Sequence, residues 1–330
     1  MAGYIIRRIL YMIPVLFGVL IVVFVLMRLI PGDPIEIFFQ SGEIGGSGAT
    51  SREGGEVSRK ALEKLRESYN LDKSPPHQFV LYVWDVLRGD LGTSIAYRRP
   101  VVDMIASHWP ATFALTMASM AVAITIGVGA GVISAIKRHT FVDYGAQMFA
   151  ILGISFPPFF VGLLLILVFA IKWQTDDGVG MLPAVSNGYG KELILPALTL
   201  GTAASAILAR LTRSSMLDVL SRDYVRTARS KGLRERVVVM GHALRNALIP
   251  VVTVIGLEFG GLLAGAVIIE AVFHRQGLGL RLIDAIIDRD YPVVQGLVLL
   301  SAVIYAMANL LVDVLYTYID PRVRLETTGS

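Results

Sequence analysis

The sequence contains no cysteine, and it is poor in charged residues. Without cysteine the chain cannot form a disulfide, ligate an iron–sulfur cluster through thiolates or use a thiol nucleophile. Only 17% of its 330 residues are charged, whereas soluble domains have about a quarter. The formal net charge of +4 is small and collects in a few loops, so we expect no nucleic-acid partner.

Sequence patterns for bond chemistry are also missing. There is no G-x-x-x-x-G-K-[ST] loop, so the chain lacks that means of cradling ATP phosphates. No serine and histidine are arranged as nucleophile and base, which argues against an intramembrane hydrolase. The histidines do not have the spacing of metal ligands, and we predict neither a metal site nor a cofactor in this chain. They are His77, His108, His139, His242 and His274.

Apolar sequence, in contrast, is abundant. Hydrophobic residues make up 54% of the chain and collect in runs of about 20 residues, the length that crosses a bilayer. These runs predict an all-α, polytopic membrane protein with six transmembrane helices in contact with the lipid bilayer. The predicted spans are Ile9–Ile30, Ala111–Ile136, Tyr144–Ile171, Leu195–Met216, Ile249–Phe273 and Val293–Tyr316.

Basic residues flank these spans in alternation. They precede the first span at Arg7 and Arg8, follow the second at Lys137, and are dense between the fourth and the fifth. Because Lys and Arg near span ends resist translocation, this pattern predicts that both termini are cytoplasmic. The first run ends in Arg28-Leu-Ile-Pro-Gly-Asp rather than in a small-residue cleavage site, so we interpret it as a retained span and not as a signal peptide.

Two consecutive prolines, Pro157 and Pro158, interrupt the third predicted span. Proline lacks the N–H that a continuous helix requires, so we expect a kink at this point. Both prolines are included among the candidate residues of a translocation path.

The most basic segment of the chain lies between the fourth and fifth spans. We predict a helix over Tyr224–Lys231, with the small residues Thr227 and Ala228 on one side. Gly232 then permits a left-handed turn, and Val237–Leu248 is predicted to be a second helix. Two short helices around a glycine would form a projecting knob. This knob is either a docking element for a cytoplasmic partner or an ordinary positive-inside loop.

The fifth span combines glycines with an acid. Four glycines form two small-xxx-small pairs that allow close helix contacts, namely Gly256 with Gly260 and Gly261 with Gly265. Glu258 falls on the side of Gly261 and Gly265, because successive helical residues are about 100° apart. An acid in a span is costly against lipid. Glu258 is therefore expected to border a translocation path with Gly261 and Gly265, or to pair with a cation such as Arg210.

The section between the first and second spans is long and polar. Loops of this length are uncommon unless they have a function. A short helix is predicted over Phe79–Leu87, and an amphipathic helix over Ser58–Tyr69. The apolar stripe of the latter covers either the pore mouth or a docked substrate-binding protein. Its residues, our candidates for extracytoplasmic docking, are Leu62, Leu65 and Tyr69.

Several segments resemble one protein family. Tyr224–Leu233 reads Y-V-R-T-A-R-S-K-G-L and resembles the signature loop of ABC-importer permeases in their peptide-transporting branch, where Arg226 replaces the acid of the general pattern. Five further segments look like dipeptide and oligopeptide permeases and occur in the family's order. They are Arg28–Pro34, Gly89–Gly92, Gly277–Gly279, Asp290–Val293 and Asp320–Arg324. The chain therefore resembles the B-type transmembrane subunit of these importers.

This resemblance implies a type I ABC importer permease fold in a prokaryotic inner membrane, with a long extracytoplasmic loop after the first helix. It also implies four partners: a second permease subunit, two ATPase subunits that bind ATP and Mg²⁺, and an extracytoplasmic peptide-binding protein. Peptides would move inward by alternating access, and this chain would not itself be an enzyme. The residues that would seat in an ATPase cleft are Tyr224, Arg226, Thr227, Ala228, Arg229, Lys231 and Gly232.

We accordingly divide the chain into four parts. Residues 1–30 are the first transmembrane helix, 31–110 the extracytoplasmic loop, 111–318 the permease core with its coupling loop at 217–248, and 319–330 a cytoplasmic tail. Two other functions stay open. Similar permeases carry nickel or other small solutes, and a gradient-driven secondary transporter would show inverted repeats and more buried charge than this sequence does.

Overall fold

The computed structural model describes residues 2–29, 63–64, 66–67, 69–173 and 180–319. Its main helices are α1 (Ala2–Leu29), α2 (Pro75–Leu87), α3 (Val101–Ile136), α4 (Phe141–Ser155), α5 (Pro158–Leu165), α6 (Ile194–Leu220), α7 (Asp223–Ser230), α8 (Leu244–Val272), α9 (Leu278–Ile287) and α10 (Tyr291–Ile319). A π-helical segment, Ile166–Lys172, continues α5, and a 3₁₀ turn, Lys191–Leu193, precedes α6. Glu235–Val237 and a π-helical segment, Val238–Ala243, lead into α8.

The helices have the length and the apolar character of membrane spans. Within the described ranges, five helices can cross a bilayer, and a sixth crossing is present if Phe141–Ser155 and Pro158–Lys172 are counted as one broken span. Large apolar side chains stay exposed along α1, as expected for a surface that faces lipid. The predicted all-α, polytopic fold class is confirmed.

The third predicted span is broken sharply instead of being kinked. Its two halves meet at an angle of 107°. A residue that precedes proline is disfavoured from helical backbone, and here Phe156 precedes Pro157, which itself precedes Pro158. Phe156 and Pro157 accordingly have extended ψ angles of 131° and 134°. Two successive extended residues turn the chain much further than one missing hydrogen bond would.

Two other prolines do not end helices where the sequence pattern indicated. Pro110 lies inside α3, which begins at Val101 and not at Ala111. Pro250 lies inside α8, so the predicted second short helix is the first part of the fifth span rather than a separate element. Membrane helices tolerate an internal proline because neighbouring groups satisfy the freed carbonyl.

Some predictions fall outside the described residues. This is the case for Leu62 and Leu65 and for the tail beyond residue 319. Tyr69 is described, and it lies in a turn where its hydroxyl donates a hydrogen bond to the carbonyl oxygen of Ser94 at 3.3 Å. The extracytoplasmic docking role of these three residues stays a prediction.

The chain divides into two compact units. The first, which we call the core unit, consists of Met1–Ile5, Trp109–Leu280 and Ile304–Ser330. Its hydrophobic core is built by α3, α6 and α8, through fully buried side chains such as Leu115, Leu208 and Phe273. Helices α3 and α6 approach closely at Gly131, where a Cβ would stand 2.6 Å from the carbonyl oxygen of Ala209. A glycine in α3 thus allows close backbone contact, as small residues do between membrane helices.

The second unit, called the flanking unit, consists of Ile6–His108 and Arg281–Val303. Phe24 of α1 packs edge-on against Phe79 of α2 with ring centroids 5.3 Å apart. The fully buried Asp290 carboxylate accepts hydrogen bonds from the Ser94 hydroxyl at 2.5 Å and from the backbone N–H of Ile95 at 3.2 Å. Two segments that resemble the permease family, Gly89–Gly92 and Asp290–Val293, also meet in this unit, since a Cβ at Gly92 would stand 3.5 Å from Pro292.

Candidate functional site

The basic loop forms a short helix, a glycine turn and the beginning of the fifth span. Helix α7 ends at Ser230, and Gly232 follows with a φ of +75°. A residue with a Cβ resists this left-handed conformation by about 1–2 kcal/mol. A Cβ at Gly232 would meet no atom within 4 Å, so the backbone angle and not the available space favours glycine. The predicted left-handed turn is observed.

One face of α7 packs against the body of the core unit. Val225 and Val238 are fully buried and Ala228 is nearly so, and together they form a small hydrophobic cluster. Thr227 is exposed, so the prediction that Thr227 and Ala228 share one side of the helix is wrong. Adjacent helical residues are about 100° apart, and Ala228 serves the anchoring face while Thr227 stays on the outer face.

Two side-chain contacts fasten the loop to the helix that follows it. Arg229 donates two hydrogen bonds to the Glu235 carboxylate, from Nη2 at 2.7 Å and from Nε at 3.1 Å. The amide of Asn246, in the first turn of α8, donates a hydrogen bond to the Tyr224 hydroxyl at 2.9 Å. The bond to Glu235 raises the pKa of Arg229. The loop and the fifth span are thus joined by the chain itself and by these two bonds.

The outer face of the loop remains open to a partner. Tyr224, Arg226, Lys231 and Leu233 are exposed. The pair of Arg226 with Asp223 is long, at 3.7 Å, and both side chains are largely solvated. Such a pair contributes little to stability. The surface therefore offers cations and apolar side chains that another protein can contact without breaking strong internal bonds.

Glu258 lies near the middle of α8 and is half-buried. Within the described residues it makes no hydrogen bond and no ion pair. The predicted alternative, a pair with Arg210, is not formed, and Arg210 is exposed. The neighbouring Arg213 instead binds the buried carboxylate of Asp143, with Nε–Oδ1 and Nη2–Oδ2 distances of 2.7 and 2.8 Å. Glu258 is thus a carboxyl for which the described residues supply no partner.

The glycines of α8 have different surroundings. On one side, Gly256 packs against Val312 of α10, and a Cβ at Gly260 would stand 2.8 Å from the Tyr305 ring. On the side of Glu258, a Cβ at Gly261 would meet no atom within 4 Å. Gly265 belongs to the same helix, and nothing is described of its surroundings. One face of α8 therefore packs against a helix, while the face with Glu258 and Gly261 is open at this position.

The other two path candidates, Pro157 and Pro158, form the break between α4 and α5. Pro157 is exposed and Pro158 is half-buried. Helix α5, which begins at Pro158, packs against α8, but no hydrogen bond links the break to Glu258 within the described residues. Their assignment to a path stays a prediction.

A second acid of the fifth span, Glu270, escaped the sequence analysis. It is fully buried near the end of α8. Its carboxyl group accepts hydrogen bonds from the Thr112 hydroxyl at 2.5 Å and from the backbone N–H of Gly279 at 2.7 Å and of Leu280 at 3.2 Å. A Cβ at Gly277 would collide with this carboxyl group. The glycines of Gly277–Gly279, noted above only as a resemblance, thus make room for a buried acid.

Arg275 completes this buried cluster. Its side chain is 1% exposed and donates hydrogen bonds to the carbonyl oxygen of Ala111 at 3.1 Å and to the Ser186 hydroxyl at 2.9 Å. The ring of Tyr189 lies under its guanidinium, 5.5 Å away. Burial lowers the pKa of Arg275. We call Thr112, Glu270, Arg275 and Gly277–Leu280 the buried node. An acid seven residues before a G-x-G turn was the signal available in the sequence.

Comparison with known proteins gives consistent results. Residues 127–325 match the family described as the inner membrane component of binding-protein-dependent transport systems. The glutathione transport system permease protein GsiC of Pectobacterium atrosepticum is 44% identical over 324 residues, which cover 98% of this chain and 99% of the relative. GsiC of Escherichia coli K12 is 43% identical over the same shares.

A solved structure shows the same fold at much lower sequence identity. An inward-facing structure of the MetNI methionine ABC transporter superposes with a TM-score of 0.55 and 16% identity, over 66% of this chain and 96% of that one. At this level of identity the likeness concerns the fold alone. The helical arrangement is that of an ABC importer permease.

Proposed function

The chain belongs to the family of inner membrane components of binding-protein-dependent transport systems, as a permease subunit of an ABC importer, and we propose that it imports peptides. The observation that carries the proposal is the geometry of the basic loop, an exposed helix and glycine turn bonded to the fifth span. The cargo follows from the relatives, whose name assigns them to glutathione transport. Glutathione is a tripeptide, and the Tyr224–Leu233 segment resembles the peptide branch of the family.

In the proposed assembly, this chain pairs with a second permease subunit. Two ATPase subunits bind ATP and Mg²⁺ on the cytoplasmic side, and a binding protein delivers peptide on the other side. The exposed cations of the loop, Arg226 and Lys231, face an acidic or polar cleft of an ATPase. Phosphate-binding and hydrolysis belong to those partners, and this chain provides the path and the coupling.

The fifth span is the element that transmits the movement. It continues from the loop through the π-helical segment Val238–Ala243 into α8. Single-turn π segments inside helices frequently occur at functional sites. When the ATPases close on ATP, they displace the loop, and the Tyr224–Asn246 and Arg229–Glu235 bonds carry this displacement into α8. Glu258 and Gly261 move with the helix and change the access of the path.

The proposed orientation puts both termini and the basic loop in the cytoplasm. The absence of cysteine in the natural sequence allows a direct test. Ser230→Cys and Asn187→Cys each introduce one exposed thiol, at the loop and at the opposite end of the spans. An impermeant thiol reagent added to intact spheroplasts is expected to label the Asn187→Cys variant and to leave the Ser230→Cys variant unlabelled until the membrane is opened. The reverse pattern would invert the topology.

The function is tested by purification followed by reconstitution. An affinity-tagged chain expressed from its own operon is expected to retain a second permease and two ATPases. The complex is placed in liposomes with ATP inside, and uptake of glutathione, trialanine and Ni²⁺ is measured with the binding protein present. Uptake of the peptides and not of Ni²⁺ supports the proposal. Ni²⁺ uptake alone would assign another cargo, and uptake driven by an ion gradient without ATP would contradict the ABC mechanism.

A further inference from the structure

A cavity in the flanking unit has the features of a small-molecule site. Its volume is about 490 Å³, within the range that ligand sites of proteins occupy. Residues of α1, α2, the turn that follows α2 and the beginning of α10 line it. It lies in a different unit from Glu258, the loop and the buried node, so none of the roles assigned above explains it.

Two polar atoms in this cavity lack a hydrogen-bond partner among the described residues. Gln78 is only 6% exposed, and its Nε2 donates to the carbonyl oxygen of Lys73 at 2.6 Å. This bond orients the amide, and Oε1 is left without a donor among the described residues. The hydroxyl of Tyr82, one helical turn later, is also buried and unpartnered there. Unsatisfied buried polar groups are rare and costly, so a ligand that bonds both would bind favourably.

The charge and the aromatic character of the wall indicate the kind of ligand. Asp85, one turn beyond Tyr82, lines the cavity and makes no ion pair with a described residue. Phe24 and Tyr82 stack with ring centroids 6.4 Å apart, and Tyr69 and Tyr291 add two more rings to the lining. Carboxylates and aromatic faces both attract ammonium groups.

The polarity of the cavity is not uniform. Arg28 also lines the cavity, next to Phe24. Its guanidinium lies 5.3 Å from the centroid of the Phe24 ring. Burial raises the pKa of the Tyr82 hydroxyl, which therefore keeps its proton and can donate it in a hydrogen bond. Along α2 the cavity thus offers an acceptor at Gln78, a donor at Tyr82 and a negative charge at Asp85.

We propose that this cavity binds the amino-terminal end of a peptide cargo before the peptide enters the membrane path. The Asp85 carboxylate attracts the α-ammonium group, Gln78 Oε1 accepts one of its N–H bonds, and the Tyr82 hydroxyl donates to the first peptide carbonyl. The inference rests on the proposed function in one respect, the peptide cargo. It adds a receiving site in the flanking unit that requires a free amino terminus.

The test measures peptide binding by the importer without its binding protein. The complex of both permeases and both ATPases is held in nanodiscs, and binding of radiolabelled trialanine and N-acetyl-trialanine is measured by equilibrium dialysis. The two peptides differ mainly in the ammonium group. Wild-type complex is expected to bind trialanine and to bind the acetylated peptide at least about tenfold more weakly, because hydrogen bonds to charged groups are worth that much.

Matched variants locate the site. Asp85→Asn and Tyr82→Phe remove one charge and one hydroxyl, and each is expected to weaken trialanine binding, Asp85→Asn by about tenfold. Asp103→Asn is the control, since Asp103 is an exposed acid of the same unit that does not line the cavity. Retention of the ATPases by each variant, measured by co-purification, separates lost binding from lost folding.

Uptake with the binding protein, measured after the same purified complex is reconstituted in liposomes with ATP inside, separates failure of the proposed function from failure of the receiving site. If the wild-type complex takes up no peptide at all, the proposed function fails and this inference fails with it. If uptake is normal but trialanine does not bind, or the acetylated peptide binds equally well, only the receiving site is refuted. Equal binding by the Asp85→Asn and Asp103→Asn variants would refute it as well, and would place the bound peptide elsewhere.

Discussion

The two ends of the fifth span use charge in opposite ways. At the end near the basic loop, Arg229 and Glu235 pair on the surface, with side chains 42% and 58% exposed. At the other end, Glu270 is fully buried and bonds to a hydroxyl and two backbone N–H groups. Exposed pairs are worth about 0–1 kcal/mol, whereas each buried donor left without its acceptor costs about 1–3 kcal/mol.

In the proposed assembly, this difference separates a surface that exchanges partners from a joint that stays fixed. The loop keeps its cations in water, where the proposed ATPase partner can bind and release them at little cost. The buried node fixes the end of α8 to the beginning of α9 and to α3 through Thr112 and Ala111. A helix fixed at one end and bonded lightly at the other can transmit movement along its length.

The largest effect is expected at the buried node. Glu270→Ala leaves the Thr112 hydroxyl and the N–H groups of Gly279 and Leu280 without an acceptor in a buried site. Each such group costs about 1–3 kcal/mol, so we expect a loss of at least about 3 kcal/mol of stability. The measurement is the level of full-length protein in the membrane and the apparent unfolding temperature of the purified complex. Glu258→Gln, a change in the same helix at a carboxyl without a partner among the described residues, serves as the control and should leave both unchanged.

If Glu270→Ala protein is as abundant and as heat-resistant as wild type, the fixed joint does not exist. A milder variant sharpens the result. Glu270→Gln keeps one carbonyl oxygen in place but introduces an NH₂ group where the carboxyl only accepts bonds. Its stability should therefore fall between those of wild type and Glu270→Ala.

The next effect is expected at the glycine turn. Gly232→Val places a β-branched residue at a φ of +75°, which strains the turn by about 1–2 kcal/mol. The spans do not include this residue, so insertion and the level of the subunit should survive. The altered loop should hold the ATPases more weakly and uncouple ATP hydrolysis from peptide uptake in the reconstituted complex.

Gly232→Asn provides the matched control, because asparagine tolerates left-handed backbone better than any β-branched residue. It should retain most of the coupling. Were the valine variant to show normal stimulation of hydrolysis by loaded binding protein and normal uptake, the loop would be only a positive-inside anchor.

Local features of the sequence predicted the Gly232 turn and α7, and long-range contacts explain what the sequence left unresolved. The Gly232 turn and α7 depend on neighbouring residues, and their pattern was readable. Glu270 was overlooked because its role depends on Thr112, which is 158 residues away in the chain. An acid inside an apolar run has the same sequence pattern whether it serves transport or makes buried hydrogen bonds. Only the packed structure shows that Glu270 is fully hydrogen-bonded and that Glu258 has no partner among the described residues.

The broken third span shows a second limit. The sequence indicated that Pro157 and Pro158 disturb a helix. Two consecutive prolines are compatible both with a kink and with the observed 107° break, so the sequence alone does not give the angle. The angle depends on how α4 and α5 each pack against α6, which no local rule specifies. Conversely, Pro110 and Pro250 were expected at helix boundaries and lie inside helices, since packing in the membrane compensates the single missing bond.

A smaller effect, on transport and not on stability, is expected at Glu258. The face of α8 that carries it is open at Gly261, so we expect Glu258→Gln to change the uptake rate for cationic peptides relative to anionic ones. The measurement compares uptake of trilysine and of triglutamate by the reconstituted complex. An unchanged ratio of trilysine uptake to triglutamate uptake would exclude a role for Glu258 in the path. Dissociation of the complex would instead indicate that Glu258 pairs with the second permease.

The smallest effect is expected at the Arg229–Glu235 pair, and a double-mutant cycle measures it. Both side chains remain partly in water, so the coupling free energy between Arg229→Gln and Glu235→Gln should be at most about 1 kcal/mol. The cycle is run on the apparent stability of the purified complex and, separately, on the stimulation of ATP hydrolysis by loaded binding protein. We expect little coupling in stability and a larger coupling in stimulation, because the pair joins the loop to the fifth span. The same cycle with Arg222→Gln and Asp218→Asn should give little coupling in both. These residues form an exposed pair at 2.9 Å, with Asp218 near the end of α6 and Arg222 immediately before α7. If the two pairs behave alike, Arg229 and Glu235 are only surface charges, and displacement of the loop reaches α8 through the backbone and the Tyr224–Asn246 bond.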